Sequence, residues 1–456
     1  MNCTMNDECK GNSTGSKDSP SSQNPFERLC IVQHPTRGRM LQSVSKFRKG
    51  EQLFRESPIL ISLQDITQKE QELLQRLSIQ TGLHLIDDFV FLKSFCHASA
   101  DIRTKVLDCY TPRPFEIEKS KLLSSLIKLA DLSRIYPWAR DTALEELRKV
   151  ILVKACNAHG FNFQSSSSAA LYTLGSKMNH SCTPNVVYTS QRYSDGTGSF
   201  IARTDIYPGD LLYISYIDAI RSTPMRQSIL MENYLFKCDC PMCTEMVDNY
   251  RGLDCTNCGI GTIFHNNKTC IWKCKNCGLT DTPDLEQEEK VVSEGLDFLG
   301  SLTAQSPNHL KAELYRVTKQ IGKPHAITKL FQKQYIETVL LPAAASPGPS
   351  SRQAQEELST MTSEIMEWCD WDPSFLDSSL IQIACILGRY AGNFLLAKKF
   401  LQIVKADMDL LMGFMAFEND MYQIVIRGIK GCDNGTRNDI PDLQIGSQED
   451  PGCPIQ

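Results

Sequence analysis

The sequence predicts an α+β chain: a β-rich region with a helical insertion, then a cysteine-rich metal-binding region, then a C-terminal helical domain. Three observations predict this class. Short apolar runs bounded by turn residues occupy 28–66 and 157–220. Apolar residues at three- and four-residue steps occupy 67–156 and 281–429, which is helical spacing. Eight cysteines lie between positions 238 and 277.

The 456 residues allow about three domains, and the composition is that of a globular chain, with 41% hydrophobic and 22% charged residues. The net charge of −5 excludes nucleic-acid binding through bulk positive charge. The sequence contains no run of 18 apolar residues, so no membrane span is expected. Its N-terminus is polar, so no secretory signal is expected. We therefore expect a reducing compartment, cytoplasmic and/or nuclear, where clustered cysteines bind metal more often than they form disulfides.

The first strands are predicted at 29–33, 40–44 and 51–62, after a polar tail at 1–27 that we expect to be disordered. The pair Lys49-Gly50 predicts a turn between two of these strands. These residues form the first part of the β-rich region, 28–66.

The helical insertion at 67–156 is predicted from amphipathic runs at 67–80, 118–130 and 140–156. Strands return in 157–220, and Asp195-Gly196 and Pro208-Gly209 predict turns between them. The predicted strands of this second part cover 170–175, 185–190, 198–203 and 210–217.

Two CxxC pairs with 15 residues between them predict a zinc ribbon, because each CxxC turn places two thiolates on one tetrahedral ion. Gly259 and Gly278 each follow the second cysteine of a pair, where a tight turn favours glycine. Cys270 and His265 lie between the pairs as alternative ligands with less regular spacing. The predicted ligands are Cys255, Cys258, Cys274 and Cys277.

A CxCxxC triplet, Cys238, Cys240 and Cys243, needs a fourth ligand that the triplet itself does not name. Thiolate ligands favour zinc over calcium or magnesium. A closed four-thiolate shell is structural and holds no catalytic water. The region 221–280 has little apolar content, so we expect zinc, about two ions per chain, to supply its folding energy.

The C-terminal region 281–429 is predicted to be helical, with a Pro/Ser/Gly loop at 343–352. Small residues at 384–400 favour close helix crossing and resemble part of a tetratricopeptide-like hairpin, although an ordinary amphipathic helix pair has the same pattern. The Gly/Asp/Pro-rich residues 430–456 predict a flexible tail.

Three motifs occur in order: GSKMNHSCTPN at 175–185, LLYISYID at 211–218, and the CxCxxC triplet. Together they resemble a SET-domain protein lysine methyltransferase with its post-SET zinc cluster. The helical insertion and helical C-terminus are most similar to the SET-and-MYND subfamily. The motifs support the resemblance over about 28–280. It implies N-methylation of a lysine in a histone or another protein, with S-adenosylmethionine (SAM) as methyl donor, and hence a role in chromatin regulation.

The resemblance also implies residue roles. Tyr216 would orient the lysine amine, Tyr234 would close the lysine channel, and Phe236 would cover the cofactor. Cys182 would be the fourth ligand of the post-SET zinc. The residues implied in cofactor binding are Arg37, Gly38, Arg39, Asn157, Ser176, Met178, Asn179, His180, Tyr216 and Phe236.

The residues themselves leave alternatives open. Tyr216 taken alone fits an ordinary core tyrosine, and Arg37 and Arg39 fit solvated surface charges. Asn157 fits a helix C-cap. The pair His180 and Cys182 could suggest nucleophilic catalysis, but a zinc-bound thiolate is no free nucleophile.

The sequence departs from the family at Met40, where the cofactor loop usually has a second glycine, and at His159, where an aromatic residue is usual. Between 60 and 155 only Cys96 and Cys109 are available, so no MYND finger is expected. These departures motivate an alternative function, a zinc-stabilised interaction or transcriptional-regulatory module with weak or no catalysis. Direct nucleic-acid binding is disfavoured, because the ribbon loop 259–273 has only two basic residues, and no membrane partner is expected.

Overall fold

The computed structural model combines strands and helices as predicted, with the β-rich region, the insertion, the cysteine clusters and the C-terminal helices in the expected order. Residues 1–24 of the predicted N-terminal tail and 444–456 of the predicted C-terminal tail lie outside the described residues. Within the part of the chain that the structure describes, no helix is both long enough and apolar enough to cross a membrane. The described residues are 25–62, 66–81, 85–113, 117–163, 166–190, 195–280, 282–301, 306–346, 349–370, 372–376, 379–413 and 419–443.

The β-rich region consists of small sheets that pair distant parts of the chain. Strands β1 and β2 form an antiparallel hairpin, β9 pairs with both β3 and β8, and β6 pairs with both β4 and β5. The insertion therefore leaves from β4 and returns at β5 within one sheet. The strands are β1 Leu29–His34, β2 Gly38–Ser43, β3 Gln52–Glu56, β4 Leu60–Ile61, β5 His159–Phe163, β6 Ser166–Leu171, β7 Asn179–His180, β8 Val186–Thr189, β9 Gly198–Ala202 and β10 Tyr213–Ile214.

The long strand predicted at 210–217 is wrong. Only Tyr213–Ile214 pair as a strand, in parallel with Asn179–His180. The ladder ends there because the next backbone donor, the Tyr216 N–H, binds the His180 ring instead of a neighbouring strand. The short parallel pairing itself places the two sequence motifs side by side.

Among its described residues, the insertion packs five α-helices around its own apolar core, which includes Phe89, Leu126 and Val150. Its second helix is apolar on most sides, so a periodicity search does not find it. Ser99 and Ser120 cap the N-termini of the third and fourth helices. The helices are α1 Gln68–Thr81, α2 Ile86–His97, α3 Ala100–Leu107, α4 Lys121–Ser133 and α5 Leu144–Asn157.

The cysteine-rich region starts with helices α6 Thr223–Tyr234 and α7 Pro241–Thr244. A three-stranded antiparallel ribbon follows, formed by β11 Val247–Asp254, β12 Thr262–Asn266 and β13 Ile271–Cys274. Gly259 and Gly278 have φ values of +68° and +73°, which confirms the predicted tight turns.

The C-terminal helices share one core with the ribbon, because Trp272 of β13 belongs to the same apolar cluster as Phe331. Gly388 allows the predicted close crossing, since a Cβ there would lie 3.3 Å from the Ala397 Cβ. The helices are α8 Leu285–Gly300, α9 Pro307–Ile321, α10 Ala326–Tyr335, α11 Leu341–Ala345, α12 Pro349–Trp368, α13 Ser379–Ile386, α14 Phe394–Met412 and α15 Asp420–Asn434.

Two predicted features of this region differ from the structure. The loop expected at 343–352 is shorter, because α11 continues to Ala345 and α12 already begins at Pro349, where the first turn needs no N–H. The tail expected from 430 is folded as far as it is described, to residue 443: α15 continues to Asn434 and ends at Gly435 in the left-handed conformation, and Ile440 is fully buried in the C-terminal core. Residues 444–456 and 1–24 lie outside the described residues.

Candidate active site

Cys182 lies beside the CxCxxC triplet. Its Sγ is 3.6 Å from that of Cys243 and 4.0 Å from that of Cys238. A tetrahedral zinc ion with Zn–S bonds of about 2.3 Å places its sulfurs about 3.8 Å apart. Disulfide sulfurs are only about 2.05 Å apart, so the spacing fits zinc rather than a cystine. The four thiols, Cys182, Cys238, Cys240 and Cys243, lie mutually within 4.8 Å and could hold one zinc ion.

This cluster has a buried counter-charge. Arg226 of α6 is completely buried, and its guanidinium donates to the Cys243 thiol at 3.6 Å and to the Thr223 hydroxyl at 2.8 Å. A zinc ion with four thiolates carries a formal charge of −2, which a neighbouring cation offsets. Gln227 fixes the start of the triplet by bonding to both the N–H and the carbonyl of Cys238.

The second cluster has the same geometry. The Sγ atoms of Cys255 and Cys277 are 3.7 Å apart, and those of Cys258 and Cys274 are 3.9 Å apart. All four lie within 4.8 Å of one another, and this group and the Cys182 group are the two such groups among the described residues. The alternative ligands take no part, because Cys270 is exposed and the His265 ring bonds to Asn267.

Tyr216 lies at the centre of an aromatic group. Its hydroxyl donates to the Met178 carbonyl at 2.6 Å, and its ring centroid is 4.9 Å from that of Tyr234. Phe236 closes the group, with its ring centroid 6.5 Å from that of Tyr216. Burial raises the pKa of Tyr216 well above its usual range and that of Tyr234 to about 12. Both hydroxyls therefore keep their protons at neutral pH.

His180 joins this tyrosine to the first zinc cluster. Its Nδ1 accepts the Tyr216 backbone N–H at 3.0 Å, and its Nε2 lies 3.2 Å from the Cys182 sulfur. Because Nδ1 accepts, we assign the ring proton to Nε2, which donates to the sulfur. One imidazole thus ties a zinc ligand to the backbone of the candidate catalytic residue.

Several of the predicted cofactor residues come together here. The Asn179 amide donates to the Arg37 carbonyl at 3.1 Å, and the His180 ring lies 5.9 Å from that of Phe236. Gly38 has a φ of +71°, which lets the hairpin turn tightly beside them. The Arg37 guanidinium pairs with the Asp239 carboxylate inside the CxCxxC triplet. Hydrogen-bonding groups and an aromatic face therefore line one corner, which suits a nucleoside-type cofactor.

Two other residues predicted to bind the cofactor, Arg39 and Asn157, contact a segment that the sequence did not indicate, Asp108–Tyr110. The Arg39 guanidinium donates to the Asp108 carboxylate at 3.1 Å and to its carbonyl at 2.8 Å. The Asn157 amide donates to the carbonyls of Tyr110 and Val153, both at 2.8 Å. The bond to Val153 lies one turn back within α5, and Asn157 is the last helical residue, so the C-cap alternative for Asn157 is wrong: the C-cap is Ala158.

Ser176 and Cys156 are the last two residues of the candidate active site. The Ser176 hydroxyl donates to the Thr173 carbonyl at 3.1 Å within its own turn. Cys156, which the sequence did not indicate, is half-buried near both channel tyrosines, and desolvation raises its pKa to about 12. The prolines Pro112 and Pro114 were the available signal that a loop follows α3 and carries Asp108–Tyr110.

The two departures from the family pattern lie inside the fold. Met40 pairs with Val32 in the β1–β2 hairpin and has no exposed surface, so its side chain lines no solvent-accessible cavity. His159 packs in an aromatic cluster, its ring centroid 4.7 Å from that of Tyr188 in a tilted contact and 5.7 Å from that of Phe200 in an edge-on contact. Neither ring nitrogen has a hydrogen-bond partner among the described residues, and burial lowers the pKa of His159 to about 4.

Comparisons with known proteins agree with this geometry. Residues 38–217 match the family profile described as SET domain. Protein-lysine N-trimethyltransferase SMYD5 of Mus musculus is 35% identical over 133 residues, which cover 28% of this chain and 30% of that protein. N-lysine methyltransferase SMYD2 of Rattus norvegicus is 35% identical over 99 residues, which cover 21% and 22%. The chain thus spans no more than 30% of the length of these relatives.

One solved structure is similar over a longer range. The "Crystal structure of the SET domain of LSMT bound to Lysine and AdoHcy" covers 79% of this chain and 89% of its own, with 12% sequence identity and a TM-score of 0.33.

Proposed function

We propose that this chain, which carries a SET domain over residues 38–217, is a SAM-dependent protein-lysine N-methyltransferase. The single observation that carries the proposal is the placement of Tyr216, whose hydroxyl bonds the Met178 carbonyl beside Tyr234 and Phe236. This position lies next to the corner formed by Asn179 and Arg37.

Methyl transfer from a sulfonium to an amine is an in-line displacement that needs alignment more than acid–base groups. An apolar aromatic channel lowers the pKa of an entering lysine, because burial disfavours the ammonium form. Tyr216 and Tyr234 stay protonated in this environment, so their hydroxyls can orient a neutral amine. SAM, when bound, supplies the methyl group.

The first zinc cluster has a positioning role in this proposal. Four thiolates close its ligand shell, so a zinc ion there has no open site for catalysis. It fixes His180, which holds the Tyr216 backbone, and the chain from Cys238 back to Phe236. Loss of this zinc would therefore displace the channel residues.

The substrate class is a lysine in a protein, either a histone or a non-histone protein. We place the activity in the cytoplasm and/or nucleus, with no nucleic-acid or membrane partner. The net charge of −5 supports the exclusion of a bulk electrostatic nucleic-acid contact.

The test uses methyl-tritiated SAM with core histones and with a mixture of cytosolic proteins. Wild type is expected to label protein, and Tyr216→Phe to reduce transfer about 100-fold or more while retaining SAM binding in calorimetry. Tyr422→Phe is the matched control, since this buried tyrosine donates to Asp409 in the C-terminal helices. A wild type that neither binds SAM nor labels any protein contradicts the proposal.

The alternative, a zinc-stabilised module without catalysis, was motivated by Met40 and His159. Met40 is fully enclosed in the hairpin and His159 fills an aromatic position, so neither obstructs the site. The described geometry therefore favours the enzyme.

A further inference from the structure

Solvent reaches the two cysteine clusters to different extents. Every cysteine of the first cluster, which includes Cys182, is buried. In the second cluster, the ribbon cluster, Cys255 and Cys274 are only 2% and 1% exposed. Its other two members differ, because Cys258 is half-buried and Cys277 is exposed. A solute in water can therefore reach Cys277 directly, whereas the first cluster lies beneath the surface.

The groups that contact the sulfurs also differ in charge between the two clusters. The first cluster receives the buried guanidinium of Arg226, which offsets the negative charge of the thiolates. In the ribbon cluster the Asn257 side-chain amide donates to the Cys277 sulfur at 3.6 Å, and that of Asn276 donates to Cys258 at the same distance. Among the described residues, no cationic side chain donates to a sulfur of the ribbon cluster. Its thiolates therefore keep more of their negative charge.

Exposure and negative charge together make a zinc-bound thiolate reactive. Zinc holds its cysteine ligands deprotonated at neutral pH, and the thiolate is the nucleophilic form. Oxidation is favoured where a thiolate is exposed and a second cysteine lies close enough to resolve the sulfenic acid. Cys277 meets both conditions, because the Cys255 sulfur is 3.7 Å from its own. A disulfide has a sulfur distance of about 2.05 Å, so the two sulfurs must approach by about 1.7 Å once zinc leaves.

We propose that the ribbon cluster is a redox modification site whose reactive thiolate is Cys277 and whose oxidant is hydrogen peroxide. The Cys277 sulfur attacks one peroxide oxygen, and the O–O bond breaks to give a sulfenic acid and, with a proton from solvent, water. The Cys255 sulfur then attacks the Cys277 sulfur, and the sulfenic oxygen leaves with a second solvent proton as water. The two thiolates lose two electrons in total, the peroxide gains them, and the zinc ion is released.

This loss of zinc affects the C-terminal helices rather than the cofactor corner. Cys255 and Cys274 belong to the same apolar cluster as Phe331 of α10. Arg251 of β11 also pairs with the buried Glu288 of α8 through two hydrogen bonds of 2.6 and 2.7 Å. The first cluster keeps its zinc, so the candidate active site stays in place. Oxidation of the ribbon therefore loosens the C-terminal helices selectively.

The test treats the zinc-loaded full chain with hydrogen peroxide and follows zinc release with a chromogenic chelator. We expect one zinc ion per chain to leave at least about tenfold faster than the other, with a disulfide between Cys255 and Cys277 found by mass spectrometry. Amide hydrogen exchange should rise in β13 and α8 and stay unchanged in β9. Dithiothreitol and added zinc should restore the two-zinc form.

Cys277→His is the informative variant, because an imidazole can replace a thiolate as zinc ligand but forms no disulfide. It should hold two zinc ions and release the second-cluster ion to peroxide about tenfold more slowly than wild type. Cys270→Ser is the matched control, since Cys270 is exposed but does not belong to the cluster, and it should behave as wild type. Release of both ions at one rate, earlier oxidation of the Cys182 cluster, unchanged exchange in α8, or wild-type sensitivity of Cys277→His would overturn the proposal.

Discussion

Replacing His180 with leucine should uncouple the first zinc cluster from Tyr216. The imidazole is 4% exposed and makes two hydrogen bonds, one from the Tyr216 N–H and one to the Cys182 sulfur. Leaving the N–H unpaired costs about 1–3 kcal/mol, and losing a hydrogen bond to a thiolate costs about 1.5–3 kcal/mol. We expect a loss of about 3–5 kcal/mol in local stability.

Two further variants of His180 each preserve one of its two hydrogen bonds and remove the other. In His180→Asn the side-chain oxygen can replace Nδ1 and accept from Tyr216, whereas in His180→Gln the longer amide can replace Nε2 and donate to Cys182. We expect the asparagine variant to release zinc faster but retain more methyl transfer. We expect the glutamine variant to retain zinc but transfer more slowly.

The assay combines zinc release to a chromogenic chelator with the kcat for methyl transfer, measured on the same samples. The control is His265→Leu in the ribbon, whose ring does not belong to the cysteine cluster. The reasoning is refuted if His180→Leu keeps wild-type zinc release and kcat. Indistinguishable asparagine and glutamine variants would refute the division of roles.

Three further predictions concern stability and metal content. His159→Phe should stabilise the fold by about 1–3 kcal/mol, since the two ring nitrogens have no partners. It should also remove the loss of stability as pH falls from 6.5 towards 4, because the unfolded chain takes up the His159 proton before the folded chain does. Arg226→Met should weaken zinc retention at the Cys182 cluster about tenfold or more, measured by chelator competition, and an unchanged affinity would contradict the counter-charge role. Metal analysis should find about two zinc ions per chain, and Cys255→Ser should reduce the count by one while sparing SAM binding.

The parts of the fold that depend on residues close in sequence were predictable. The cysteine spacing is a property of short turns, so the two thiol clusters followed from the sequence, and Gly259 and Gly278 marked their turns. The amphipathic helices followed from their periodicity. Helix α2 did not, because its buried residues surround the helix rather than form a stripe.

The site was only partly predictable, because its walls come from distant segments. The two motifs that contain Asn179 and Tyr216 are each contiguous in sequence and together indicated one wall. Asp108 and Tyr110 reach the site only through the packing of the insertion against the hairpin, which no local pattern encodes.

Methyl transfer itself tests the central claim most directly. Wild type and Tyr216→Phe are incubated with tritiated SAM and a protein mixture, and the labelled protein is hydrolysed to amino acids. We expect radioactive N-methyllysine from wild type, and about 100-fold less or none from Tyr216→Phe, with SAM binding retained in both. Label on another amino acid, or equal N-methyllysine from both proteins, would contradict it.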